Sequence, residues 1–137
     1  MGKALGIDYG TKRTGIAITD PEKIIAFGLT TVATSLIYDF IANLFLKDDI
    51  DFFVVGYPIN LDGKVTDNTL HVKNFITNLK KKYPKISIHN VDERLTSKIA
   101  KKAILASGVK KTKRRNKALV DEVSATIILQ NFLDYRA

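Results

Sequence analysis

The feature that most constrains the fold is the order in which the apolar pattern changes along the chain. Three short apolar runs come first, and beyond residue 35 short runs alternate with longer stretches that are apolar at every third or fourth position. Short runs of this kind are typical of strands, and the periodic stretches are typical of helices that bury one face. The predicted strands are Lys3–Asp8, Thr14–Thr19, Ile24–Thr31, Phe52–Gly56 and Ile86–Val91.

The predicted helices follow from caps and apolar periodicity. Ser35 can cap the first helix, and the second follows a loop, Tyr57–Asp67. Two further helical stretches, Thr96–Ala106 and Ala118–Tyr135, flank a basic loop at Gly108–Arg115. The apolar face of the first helix comprises Ile37, Phe40, Ile41, Leu44 and Phe45, and that of the second comprises Val72, Phe75, Ile76 and Leu79.

The element order is therefore βββαβαβαα, which predicts an α/β fold. Gly10 supplies a flexible turn, so the first three strands are expected to form antiparallel hairpins. Strands that are joined through helices run parallel. Because Phe52–Gly56 is apolar throughout, this strand needs cover on both faces. We expect a five-stranded mixed sheet with helices on both faces, in a single domain spanning residues 1–137.

The composition excludes several kinds of protein. The chain has no cysteine, which rules out disulfides and a thiolate zinc site. Its first residues, MGKALGIDYG, contain too short an apolar run for a signal peptide, and no later run reaches the length of a membrane span. We therefore expect a soluble cytoplasmic protein that does not contact membranes.

The net charge of +8 comes from one segment. Between Arg94 and Val120 there are ten basic residues and no acid, whereas the rest of the chain has twelve basic and fourteen acidic residues. A local positive field suits a polyanion, most simply nucleic acid. Lysines on a solvated helix surface are the alternative, but the lack of acids favours nucleic acid. Phosphate contacts are predicted for Lys110, Lys111, Lys113, Arg114 and Arg115, with Lys12 and Arg13 in the first turn as further candidates.

Three acids could carry chemistry, although each has an ordinary explanation. Asp8 ends a strand and can cap its own turn, Glu93 follows a strand and can pair with Arg94, and Asp121 can complement a helix dipole. The small or apolar side chains that follow Asp121 on its helix face predict that this face lies against the sheet. Two strand ends and one adjacent helix could then gather three carboxylates into one small volume.

Three close carboxylates predict a metal site. Their mutual repulsion raises their pKa values unless a hard divalent cation holds them. With two histidines and no thiols in the chain, Mg²⁺ or Mn²⁺ is favoured over zinc. Two such ions, roughly 3.5–4 Å apart, can activate a water and stabilise the leaving oxygen of a phosphodiester. The pattern favours a metal-dependent nuclease with two ions.

Four blocks of sequence resemble the YqgF family in order and spacing. They are GIDYGTKRTGIAITD (6–20), VVGYPINLDG (54–63), DERLTS (92–97) and VDEVSATIILQNFL (120–133). The resemblance covers essentially the whole chain. YqgF proteins belong with the RuvC-type resolvases in the RNase H-like superfamily, and their members are described as nucleases of precursor 16S ribosomal RNA and as Holliday junction resolvases.

The resemblance implies roles for individual residues. The family's acidic residues fall on Asp8, Glu93 and Asp121, and the GYPINLDG loop, with Asn60 as a polar member, borders the site. Arg94, the first of the ten basic residues, is a further predicted nucleic-acid contact. RuvC relatives carry a second acid three residues further along the last helix, where this chain has Ser124. Glu122 is turned about 100° away around the helix and is a poor substitute.

Several rival interpretations remain open at this point. Actin-like and sugar-kinase-like ATP-binding folds also begin with an Asp-x-Gly-Thr hairpin, but they close two domains around ATP. GTKRTG lacks the Lys-Ser/Thr of a phosphate loop. A non-catalytic RNA-binding assembly factor explains the basic segment but not the acids. Between the two nuclease substrates we favour precursor ribosomal RNA over a DNA junction. Because no large apolar stripe is evident once the sheet is covered, we expect a monomer or a weak homodimer.

Overall fold

Five strands form one mixed sheet. A computed structural model of the chain describes residues 2–57, 67–92 and 117–136. The strand order across the sheet is β3-β2-β1-β4-β5. The strands are β1 (Lys3–Tyr9), β2 (Arg13–Thr19), β3 (Ala26–Ala33), β4 (Ile50–Tyr57) and β5 (Ser87–Asp92).

The directions of the strands confirm the predicted architecture. β1 pairs antiparallel with β2, and β2 pairs antiparallel with β3. β1 pairs parallel with β4, and β4 pairs parallel with β5. The two hairpins come first along the chain because short turns can join only antiparallel neighbours, whereas the parallel strands need helical crossovers.

Three helices are described: α1 (Ile37–Phe45), α2 (Asp67–Lys82) and α3 (Lys117–Arg136). The prediction that Ser35 caps the first helix is wrong. Ser35 lies inside a 3-10 turn, Thr34–Leu36, and α1 begins without a side-chain cap. A capping residue needs extended backbone outside the helix, and here the chain passes from β3 directly into the turn. The helix predicted at Thr96–Ala106 lies outside the described residues.

The helices cover both faces of the sheet, as predicted. On one face, α1 and α2 bury a large apolar cluster that includes Ile41, Phe53 and Phe75. On the other, α3 buries a smaller cluster that includes Phe52, Ala125 and Leu129. β4 contributes to both clusters, which is why its segment Phe52–Gly56 is apolar throughout. Within the described residues, no helix is long and apolar enough to cross a membrane.

Glycines allow α3 to approach the sheet very closely. A Cβ atom at Gly15 of β2 would overlap the backbone carbonyl of Asp121, and one at Gly6 of β1 would lie 2.7 Å from the Cβ of Leu129. Two hydrogen bonds fix the helix along β3: the Thr31 hydroxyl donates to the Ala118 carbonyl at 2.6 Å, and the Ala26 amide donates to Gln130 Oε1 at 2.8 Å. Because Gly6 and Gly15 have no side chains, α3 can pack directly against β1 and β2.

The expectation that no apolar stripe remains on the surface is wrong at the β3 edge. Five large apolar side chains in or beside this strand are at least 40% exposed. Apolar and polar residues alternate less regularly in hairpins and edge strands than in central strands. Such a stripe is therefore hard to detect in the sequence. The exposed residues are Ile24, Ile25, Phe27, Leu29 and Leu36.

The close approach at Gly15 predicts a strong effect of one methyl group. We expect Gly15→Ala to lower the free energy of unfolding by about 1–3 kcal/mol, because α3 backbone cannot move aside without losing its packing. Urea unfolding followed by circular dichroism measures this change.

Gly28→Ala is the matched control. Gly28 also faces α3, but its Cβ would meet only the flexible side chain of Glu122, at 2.7 Å. We expect a change below about 0.5 kcal/mol. Equal losses in the two variants would contradict the rigid approach of α3 at Gly15.

Candidate functional site

Asp8 lies near the end of β1, on the face of the sheet that α3 covers. Its neighbour Tyr9 points to the other face, where its ring stacks on Phe75 with centroids 4.5 Å apart. Asp8 is the register partner of Gly15. Directly paired residues present their side chains to the same face, and Gly15 faces α3. Asp8 is half-buried there.

Asp121 comes to the same place from the helix. It lies in the second turn of α3, and its backbone carbonyl is above Gly15. The Cα atoms of paired residues such as Asp8 and Gly15 are about 5 Å apart. The fold therefore brings two of the three predicted acids, Asp8 and Asp121, to the same end and face of the β1–β2 hairpin.

Asp121 is bound by an arginine from the start of β2. Arg13 Nε donates a hydrogen bond to Asp121 Oδ2 at 3.1 Å, and the two side chains are 39% and 25% exposed. Burial raises the pKa of Asp121 above its ordinary value, and the Arg13 guanidinium and Lys117 partly offset that rise. The explanation of Asp121 as a first-turn helix acid does not hold, because α3 begins at Lys117.

A cavity of about 440 Å³ opens beside this ion pair. One wall is the turn from Gly10 to Arg13, Asp121 contributes an acid, and α2 supplies the remaining lining residues, Asn68 and His71. Neither Asn68 nor His71 is among the site residues that the sequence predicts. Their spacing of three places them on one helix face, but only the tertiary position of α2 shows what that face borders.

A threonine fixes the turn that carries Lys12 and Arg13. The Thr34 amide donates to the Lys12 carbonyl at 3.0 Å, and the Thr34 hydroxyl donates to the Gly10 carbonyl at 2.6 Å. That hydroxyl also lies 2.8 Å from the hydroxyl of Thr14, the first residue after Arg13. The turn is thus tied to the end of β3, and it presents the exposed Lys12 at the mouth of the site.

The structure locates only some of the predicted site residues. Asp8, Lys12, Arg13 and Asp121 are described, and all four lie at this end of the hairpin. Within the described ranges no group of three or more histidine, aspartate or glutamate side chains forms a metal-binding cluster. The remaining predicted residues lie outside the described residues: Asn60, Glu93, Arg94, Lys110, Lys111, Lys113, Arg114 and Arg115.

The residues that follow Asp121 differ in where they point. Ser124 is 1% exposed, and its Oγ has no hydrogen-bond partner among the described residues. The carboxylate of Glu122 lies beside Gly28 of β3, away from the central strands. Neither residue adds a second acid to the helix side of the site in the described part of the chain.

The mixed five-stranded sheet with helices on both faces defines an RNase H-like fold. T. thermophilus RuvC, solved in complex with a Holliday junction substrate, matches this chain with a TM-score of 0.59 at 13% identity, covering 99% of this chain and 96% of that one. Residues 2–135 match the family described as "RuvX: Holliday junction resolvase". The chain belongs to this family, which confirms the resemblance to YqgF proteins.

Close relatives match along nearly their whole length. A protein of Porphyromonas gingivalis is 48% identical over 134 residues, which are 98% of this chain and 97% of the relative. A protein of Christiangramia forsetii is 46% identical over 133 residues, which are 97% of this chain and 98% of the relative. Both carry the name "Putative pre-16S rRNA nuclease".

The raised pKa of Asp121 predicts a pH dependence of stability. A carboxyl whose pKa in the folded chain exceeds its ordinary 3.8 contributes most stability below that pH, and the contribution is lost as pH rises through the folded-state pKa. Asp121→Asn removes this loss. We therefore expect the stability of the Asp121→Asn variant to rise relative to that of the unmodified chain as pH increases from about 3 to 7. Urea unfolding in EDTA measures this difference.

Asp134→Asn controls for the loss of one negative charge, since Asp134 is an exposed acid at the other end of α3. We expect no such relative gain for this variant. If Asp121→Asn also showed none, the half-buried carboxylate would not carry the free-energy cost that burial assigns to it.

Proposed function

We propose that this chain is a metal-dependent nuclease that processes precursor 16S ribosomal RNA in the cytoplasm. The observation that carries the proposal is the placement of Asp121 on α3 against Gly15, the register partner of Asp8. Asp8 and Asp121 thus lie at the same end and face of the β1–β2 hairpin, and Asp121 also lines a cavity together with Lys12 and Arg13. The names of relatives that are 46–48% identical over nearly the whole chain support the same substrate.

The donor atoms of the site suit a hard divalent cation. Asp8 and Asp121 offer carboxylate oxygens, which Mg²⁺ and Mn²⁺ prefer. The Arg13 guanidinium, 3.1 Å from Asp121 Oδ2, shows that a cationic group is accommodated at this carboxylate. When bound, a pair of such ions would supply an activated water and charge stabilisation at the leaving oxygen.

Glu93 is proposed as the third acid. On β5, His89 packs against Phe52 and Phe132 of the α3-facing cluster, and Val91 packs against the same cluster. In the sequence Glu93 is the next member of this alternating series. Its neighbour Asp92 belongs to the other set and pairs in register with Tyr57.

The substrate would be held by positive charge on both sides of the acids. Lys12 is exposed on the hairpin turn, and Lys117 begins α3. The basic loop residues precede Lys117 directly in the sequence. Contacts from such residues go to phosphates, which positions the backbone without reading the bases.

The carboxylates can be tested individually. We expect Asp8→Asn, Glu93→Gln and Asp121→Asn each to lower cleavage of precursor 16S RNA at least about a hundredfold, because a ligand oxygen and its charge are lost while the volume is kept. Nucleic-acid affinity in EDTA should change little. Cleavage is measured with Mg²⁺ or Mn²⁺ on protein freed of host nucleases.

Asp92→Asn is the matched control for Glu93→Gln, since it removes the adjacent charge. It should retain cleavage. Full activity of Asp8→Asn would end the metal-site proposal, and loss of activity in Asp92→Asn with an active Glu93→Gln would transfer the role of third acid to Asp92. Binding without cleavage in the unmodified chain would favour the non-catalytic assembly factor.

The basic loop should act through phosphate contacts. Neutralising two of Lys110, Lys111, Lys113, Arg114 and Arg115 is expected to weaken binding equally for all sequences and to reduce the log–log salt slope by about one unit per contact. Lys80→Gln with Lys81→Gln, two exposed residues at the far end of α2, is the charge-matched control and should leave the slope unchanged. An unchanged slope in the loop variants would mean that the loop is a solvated surface.

The preference for RNA over a DNA junction as substrate rests on Ser124 in α3. Ser124 places a buried hydroxyl where RuvC relatives carry a second acid, and a hydroxyl supplies no negative charge. The family description and the RuvC-like fold make junction resolution the second candidate.

Depleting the protein in its host distinguishes the two substrates. We expect 16S precursors with unprocessed ends to accumulate, as sized by primer extension, while purified protein leaves four-way junctions without paired cuts. Normal ribosomal RNA ends together with paired symmetric nicks in the junction would reverse the choice.

A further inference from the structure

We infer that Arg13 is a positioning residue that competes with the divalent cation for Asp121, so that metal binding displaces its guanidinium. The inference rests on the proposed metal site. It assigns to Arg13 a role within the chain that precedes any contact with nucleic acid.

The contact has the geometry of a displaceable bond. Arg13 Nε reaches a single oxygen, Asp121 Oδ2, at 3.1 Å. Among the described residues this is a one-nitrogen contact, whereas arginine binds carboxylates most strongly through two parallel bonds. The Arg13 side chain is 39% exposed, so water can solvate it once it leaves. A partly exposed single-contact ion pair contributes only a modest free energy.

The electrostatics of Asp121 explain why a cation is needed at this position. The carboxyl is buried enough that its ionised form is disfavoured, and Arg13 is the nearest compensating charge that the described residues supply. A divalent ion supplies twice the charge and binds the same oxygens. An ion that binds Oδ2 would gain its full interaction only after the guanidinium moves.

A displaced Arg13 side chain can remain in the cavity beside Asp121. It shares the cavity with Lys12, Asn68 and His71, all beside Asp121. A guanidinium that leaves the carboxylate stays within reach of a phosphate bound in that cavity. Metal binding would then free the same group that the sequence predicts as a nucleic-acid contact.

The test measures Mn²⁺ affinity by isothermal titration calorimetry, without nucleic acid. We expect Arg13→Gln to bind Mn²⁺ about threefold tighter than Lys12→Gln, the range expected for a weak ion pair. Lys12→Gln is the matched control: it removes the same charge from the same cavity, and the Lys12 side chain has no ion pair among the described residues. The Mn²⁺ affinity of Arg13→Lys should lie between those of Arg13→Gln and Lys12→Gln.

A second measurement follows Arg13 directly. In ¹⁵N-detected spectra of the unmodified chain, addition of Mg²⁺ should shift the Arg13 Nε–H resonance towards the position of a solvated arginine. Thermal melts of every variant confirm that the fold is retained.

The outcomes separate the inference from the proposed function. If Arg13→Gln binds Mn²⁺ no more tightly than Lys12→Gln, or more weakly, and the Nε–H resonance does not respond to Mg²⁺, Arg13 does not compete with the ion and the inference fails alone. If Asp121→Asn binds Mn²⁺ as tightly as the unmodified chain, the metal site itself is wrong and the inference falls with it.

Discussion

The contact between α3 and β2 at Gly15 is the constraint on which the rest of the site depends. Any side chain at this position would push the helix away from the hairpin, because the carbonyl of Asp121 occupies the space of a Cβ atom. Since Gly15 is paired with Asp8, the same contact sets the spacing between the two acids. It also leaves Asp121 half-buried, and burial disfavours the ionised form of its carboxyl unless a cation lies beside it. The same contact therefore determines both the packing of α3 on the sheet and the placement of the two acids.

Much of the fold follows from the sequence because local signals and tertiary packing agree. The apolar run in β4 predicts a central strand, and the glycine turn predicts the first hairpin. The placement of Asp8 and Asp121 at one end of the sheet could be predicted, since one ends a strand and the other precedes a small-residue helix face. The Arg13–Asp121 pair could not be predicted, because it joins residues 108 positions apart. Asn68 of α2 was missed for the same reason: only tertiary packing places it at the cavity.

Burial of the Asp121 carboxyl makes an unfavourable electrostatic contribution to the stability of the site. Burial disfavours the ionised form of Asp121, and Arg13 and Lys117 offset only part of that effect. Such unrelieved charge is common where a chain must bind a ligand of opposite sign. In the proposed function, the basic residues around the acids would attract a polyanion, while the acids themselves would repel it unless cations intervene. Metal and nucleic acid are thus expected to bind in a mutually supportive way.

The central claim is that Asp8 and Asp121 hold a divalent cation together. The most direct measurement is the anomalous scattering of a crystal soaked in millimolar Mn²⁺. We expect a manganese peak within bonding distance of a carboxylate oxygen of Asp8 and of Asp121, with the Arg13 guanidinium moved off Oδ2. A crystal with free access to the site, in which manganese binds elsewhere or Arg13 stays on Asp121, would contradict it.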